Sequence, residues 1–214
     1  QESNYSRAES SHEGDIIYTT FDALNTIAGL VSVDFDAEVK ITDEIKFSFK
    51  KAGHILGAAS VFVSLGDRNI VFSGDLGRID EAIIESFINI QNHKFETDYI
   101  VMESLYGGVI HQTRNEAKNE LINLINKTIE RGGNVVIPSF AVHKTQEILE
   151  ILKEAFQKNQ IDQDVQVFLD SPLAIKATSI YSHNTTFFNP VKYDLTDPQI
   201  VRNIFNFPNL KITR

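Results

Sequence analysis

Near Tyr106 the hydrophobic period of this chain changes from two to about 3.6, and few folds accommodate that switch. From Glu38 to Ser73 apolar residues alternate with polar ones. Val39 and Ile41, then Ile45, Phe47 and Phe49, read as two strands around Thr42-Asp43-Glu44; Val61, Val63 and Leu65 lead through Gly66-Asp67 into Asn69 to Ser73. Paired strands with tight turns predict an antiparallel or mixed sheet. Tyr99-Ile100-Val101-Met102 adds a short apolar strand, after which strand and helix alternate. Thr113 and Glu116 have capping-box spacing before a helical face of Ala117, Leu121, Leu124, Ile125 and Thr128, which Gly132-Gly133 ends. Asn134 to Ile137 reads as a buried strand and Thr145 to Phe156 as a helix with Ile148, Leu149, Leu152 and Phe156 on one side. Val165 to Leu169 is a further strand, and Ser171-Pro172 and Asp197-Pro198 read as helix starts. Asp22 to Ala28 forms a short helix stopped by Gly29, behind a polar segment over residues 1–14. The pattern predicts an α/β chain in two lobes, with the boundary between Tyr106 and Gln112.

The 214 residues suffice for one large domain or two modest ones. With no cysteine, a disulfide scaffold, a thiolate zinc site and a cysteine nucleophile are excluded. No apolar run is long enough to cross a bilayer and no secretory signal opens the chain, so a cytoplasmic location without a membrane partner is expected. A net charge of -9 argues against broad attachment to nucleic acid, though not against a nucleic-acid substrate held by bound cations. The chain opens at Gln1 and its one methionine is Met102, which suggests a piece of something longer.

Six histidines, His12, His54, His93, His111, His143 and His183, are scattered, and no His-x-His or His-Glu-x-x-His cluster exists. Three contexts stand out. His54 lies in Ala52-Gly53-His54-Ile55-Leu56-Gly57, where glycines let a loop between strands present an imidazole freely. Asp75 follows an apolar strand in Phe72-Ser73-Gly74-Asp75-Leu76-Gly77-Arg78; a turn aspartate is the plainer alternative. Glu103 closes Ile100-Val101-Met102 in the same way, with helix capping as its alternative. Three ionisable groups at three successive strand ends point together to a cleft.

Ala52 to Ser60, Phe72 to Arg78, Met102 to Gly107, Pro138 to Glu147 and Asp170 to Ala174 occur in the order and spacing of one family. The chain resembles the β-CASP branch of the metallo-β-lactamase superfamily, which contains ribonuclease J and the endonuclease of the cleavage and polyadenylation specificity factor. The resemblance implies a partial αββα metallo-β-lactamase sandwich over 1–108 and a partial β-CASP lobe, itself α/β, over 109–214. By the same resemblance His54 is a ligand of one of two zinc ions and Asp75 bridges both. The resemblance also makes Asp75 and Glu103 the catalytic residues, with Glu103 opening the β-CASP insertion and orienting a histidine near the scissile phosphate. Imidazole and carboxylate suit zinc, and two metals activate water and stabilise phosphoryl oxygens.

The His-x-His-x-Asp-His signature of the family is absent from these residues and is expected before Gln1; further histidines are expected after Arg214. Leu105 stands where threonine is usual, and His143-Lys144 replaces the commoner Gly-Arg. His143 reads as a helix-leading structural or surface residue, with an additional ligand as the alternative. The expectation is therefore a central section of a two-zinc hydrolase cutting phosphodiesters, with RNA as partner and self-association open. Alone, the section should be metal-poor and inactive. A superfamily hydrolase of small esters or thioesters, and an inactive scaffold subunit of an RNA-processing complex, are the rival readings.

Overall fold

The computed structural model describes residues 17–87, 95–197 and 203–213. The period-two half forms a five-stranded mixed sheet. β1 (Val39–Lys40), β2 (Ile45–Lys51), β3 (Ala59–Leu65) and β4 (Arg68–Phe72) pair antiparallel in chain order, and β5 (Tyr99–Val101) joins β4 in parallel. Turn chemistry sets the register. Thr42 Oγ1 accepts the Ile45 amide at 3.1 Å between β1 and β2. Leu65 faces Arg68 across Gly66-Asp67, where Gly66 takes a φ of +59° that favours glycine.

That register decides where loops emerge. Lys51 at the end of β2 faces Ala59 at the start of β3, and Val61 faces Phe72 at the end of β4. Because β5 runs parallel to β4, with Phe72 opposite Val101, its carboxyl end lies on the same edge. The 52–58 loop, the chain after Phe72 and the chain after Val101 therefore leave the sheet together.

Helices surround the second half. α1 (Thr20–Ala28), on the sheet side, begins in a Thr19/Asp22 capping box and ends at Gly29. α2 (Arg114–Glu130) begins in the expected Thr113/Glu116 box and ends at Gly132, at φ +72°. α3 (Lys144–Gln157) buries Leu149, Leu152 and Phe156. β6 (Val167–Leu169) pairs in parallel with β7 (Leu210–Ile212), and α4 (Pro172–His183) begins where Ser171 Oγ accepts the Ala174 amide.

Three expectations differ from the structure. The inward face of α2 is Ile122, Ile125 and Thr128, whereas Leu124 is exposed and so is Ala117. Lys118 occupies the contact line and pairs with Glu154 of α3 at 2.6 Å, so a hydrophobicity count misplaces the stripe. Residues 134–137 form no strand: Val136 is 85% exposed and neither β6 nor β7 pairs with them. Without a ladder partner an apolar run stays an extended loop. β6 starts two residues late, because the Val165 amide bonds the Asp162 carbonyl at 3.1 Å instead. The polar segment over 1–14, His12, His93 and a helix after Asp197-Pro198 lie outside the described residues.

The two sheets are separate, and the connection between β4 and β5 reaches into the core of the helical half. Ile83 and Ile84, from the connection between β4 and β5, insert into a cluster with Tyr181, Phe188 and Phe205. The Asn189 amide donates to the Ile83 carbonyl at 2.9 Å, pinning that insertion. Among the described residues no helix is long and apolar enough to cross a membrane.

Candidate metal centre

At the shared sheet edge, two glycines bring two loops into contact. The Gly77 amide donates to the Ala52 carbonyl at 2.9 Å, and a Cβ on Gly77 would lie 1.6 Å from the Gly53 carbonyl oxygen. Gly53 has φ +65°, and a Cβ there would lie 2.5 Å from the Phe87 amide nitrogen. Only glycine permits both approaches. Gly77→Ala must therefore separate the loops, with an expected loss of about 2–4 kcal/mol. Denaturant unfolding of wild type and variant checks it, and a change below about 0.5 kcal/mol would contradict the contact.

The contact positions His54 and Asp75. His54 Nε2 stands 3.9 Å from Asp75 Oδ2, with side chains 43% and 78% exposed. Two donors bonded to one tetrahedral zinc at about 2.0–2.1 Å lie about 3.3–3.4 Å apart, so one cation would reach both once the 3.9 Å gap closes slightly. A neutral imidazole nitrogen beside a carboxylate oxygen is a donor set that zinc accepts. These are two donors, one fewer than a catalytic zinc usually takes from protein.

Glu103 lies beside them but faces backbone. Its Oε1 accepts the Leu76 amide at 2.9 Å and its Oε2 the Leu105 amide at 3.3 Å. Ser73 completes the frame: its amide bonds the Val101 carbonyl at 2.9 Å, its Oγ accepts the Glu103 amide at 3.0 Å, and Ser60 Oγ donates to its carbonyl at 2.7 Å. Glu103 thus fixes the residue next to Asp75 rather than offering a free carboxylate.

Farther along the Asp75 loop, Arg78 Nε and Nη2 donate to Asp80 at 2.7 and 3.0 Å, and Arg78 also reaches the Gln112 carbonyl at 3.2 Å. The Arg78 hydrogen bonds hold the Asp80 carboxyl down at about 2, below its usual 3.8. A folded-state value below the unfolded one means stability that is present above about 4 and lost as the pH falls towards about 2. Asp80→Asn should flatten the stability–pH curve in that window; urea unfolding across it is the check, and an unchanged slope would refute the coupling.

Sequence reading missed a second, buried group. Glu81, His143 and Glu147 bring donor atoms within 4.8 Å of one another, although 66 positions separate Glu81 from Glu147. His143 does lead α3, as expected, but it is buried rather than on the surface. Arg114 donates to Glu147 at 2.7 Å and to Glu150 at 3.0 Å; Lys144 also pairs with Glu147, and Lys192 with Glu150 at 2.6 Å. No local spacing announces such a network; the only hint was a histidine at a helix start.

A mixed sheet, a helical α/β half and donors gathered at strand ends define a partial α/β fold built around a polar sheet edge. Residues 145–214 match the Beta-Casp domain model. The chain is 32% identical over 185 residues to the RNase J-like protein of Methanocaldococcus jannaschii, covering 86% of this chain and 43% of that protein. It is 32% identical to endoribonuclease ysh1 of Schizosaccharomyces pombe, covering 99% of this chain and 27% of the relative. The transcription termination factor FttA of Pyrococcus horikoshii is 34% identical, over 81% of this chain and 26% of its own length. The chain belongs to the β-CASP branch of the metallo-β-lactamase superfamily. It spans less than half the length of these relatives.

Proposed function

We propose that the full-length protein is a zinc-dependent phosphodiesterase that cuts RNA, and that residues 1–108 and 109–214 are parts of its metallo-β-lactamase and β-CASP domains. The observation that carries this reading is the 3.9 Å approach of His54 to Asp75 at the sheet edge, framed by Glu103. Relatives named as RNases and endoribonucleases support RNA as the substrate. The family supports a metal, and the donor set of this chain fits zinc.

His54 would hold a cation through Nε2, and Asp75, with two oxygens, would hold one or bridge two. Bound zinc would supply an activated water at neutral pH and positive charge facing the phosphoryl oxygens. Glu103 would hold the backbone next to Asp75 in place by accepting the Leu76 and Leu105 amides. The exposure of both donors leaves room for a phosphodiester and for further ligands. Positive charge at the site would offset the -9 of the chain against an anionic substrate. A cytoplasmic location is part of the proposal.

The test combines metal analysis with cleavage assays on RNA, DNA and small esters, using the full-length protein and residues 1–214 alone. About two zinc ions and chelator-sensitive RNA cleavage are expected of the full-length protein. The 214-residue piece, with two donors, should bind little metal and cut nothing. Hydrolysis of small esters alone would overturn the RNA reading, and no hydrolysis of any substrate would favour an inactive scaffold.

A further inference from the structure

A buried hydrogen-bonded chain joins the His54 loop to the segment after Asp75 by way of the helical half. The Leu56 amide donates to the Tyr181 hydroxyl at 3.1 Å, and that oxygen lies 3.0 Å from His143 Nδ1. His143 Nε2 stands 3.4 Å from Glu81 Oε2, while Glu81 Oε1 accepts the Ala82 and Ile83 amides at 2.8 and 3.0 Å. Counting donors fixes the direction. The Glu81 carboxylate can only accept, which places a ring proton on Nε2; in the neutral ring Nδ1 then accepts the Tyr181 hydroxyl proton, while the phenol oxygen accepts from the Leu56 amide. Burial pushes the Tyr181 phenol up to about 12, so it keeps the proton it donates. Burial pushes the Glu81 carboxyl up as well, but hydrogen bonds from His143 and the Ile83 amide outweigh it and hold the group below the usual carboxylate range.

The backbone of His143 is the second observation. It has φ +68° and ψ −56°, and the Lys144 amide bonds the Val142 carbonyl at 2.9 Å. This is a γ-turn of positive φ, rare and strained for a residue with a side chain. Such a conformation costs about 1–3 kcal/mol and persists where the surroundings over-determine it. Glycine would adopt it freely. The imidazole side chain is 9% exposed and engaged at both nitrogens, so side-chain bonds offset the backbone strain.

We propose that Tyr181, His143 and Glu81 form a latch that holds the His54 loop and the segment from Asp75 to Ile84 against the helical half, with His143 as a positioning residue for the metal centre. The latch stands on its own geometry; its effect on metal rests on the function proposed above. Glu147, the third member of the buried group, is neutralised by Arg114 and Lys144, which favours a latch over a cation site.

Three measurements on the full-length protein test it. Tyr181→Phe and His143→Gly should each speed amide exchange in the peptide covering 53–58 about tenfold or more. His143→Gly relieves the strained φ but strands the buried Glu81 carboxylate and the Tyr181 hydroxyl, so unfolding stability should fall, and zinc affinity should fall about 10–100-fold. The KM for RNA should not move. Nitrogen NMR of wild-type His143 should show the proton on Nε2, a signature that a mere packing role does not require. Unchanged exchange in both variants would overturn the latch, as would a proton on Nδ1. Faster exchange with unchanged zinc affinity would overturn the positioning role. Zinc retained in Asp75→Ala but lost in His143→Gly would overturn it in favour of a cation site. A wild-type protein that binds no zinc defeats the metal reading, and the exchange rates then still decide the latch.

Discussion

Asp75→Ala in the full-length protein is expected to lower RNA cleavage at least about a thousandfold, beyond the roughly 10–100-fold typical of residues that only support a ligand. Its carboxylate would touch the metal directly, and no neighbouring described group offers the same oxygen pair. Folding should change little, because the side chain is 78% exposed and substitutions at such sites stay within about 0.5 kcal/mol. Asp75→Asn, which keeps the shape but loses the charge, should lose most of the activity too. Metal content, unfolding and cleavage measured on the same preparations are decisive. Cleavage that survives Asp75→Ala within about tenfold would remove Asp75 from the metal centre.

The largest expected loss of stability lies elsewhere, at Arg114. Its guanidinium, 17% exposed, bonds Glu147 and Glu150, whose side chains are 7% and 8% exposed. Burial pushes the guanidinium down, but both carboxylates outweigh that and raise it, so it stays charged. Arg114→Met leaves two buried carboxylates with only Lys144 and Lys192, and removing one partner from a buried ion network costs about 3–5 kcal/mol. Arg114→Met combined with Glu147→Gln should recover part of the loss, since it removes one stranded charge. Denaturant unfolding of the single and double variants checks both. A single variant within about 1 kcal/mol of wild type would mean that the lysines alone neutralise the site.

The predicted elements that held are those whose cause is local. The two hairpins over 39–72 follow from alternation and from Thr42 and Gly66; α2 and α4 start where Thr113 and Ser171 cap them. The α2 face was misplaced because Lys118 takes a contact position through an ion pair with Glu154, a partner 36 residues away. Residues 134–137 carry the composition of a strand, yet a strand exists only with a neighbour to bond.

Sequence alone determined the class of fold, the period switch near Tyr106 and the short list of His54, Asp75 and Glu103, because alternation, capping and glycine-bracketed donors act over a few residues. Only the tertiary structure decided that Glu103 grips the Leu76 and Leu105 amides, that Gly53 and Gly77 touch, and that Glu81 meets His143. Those contacts join residues 24 to 62 positions apart or depend on which atoms face each other. Sheet register and core packing set such distances, and neither leaves a periodic trace in the chain.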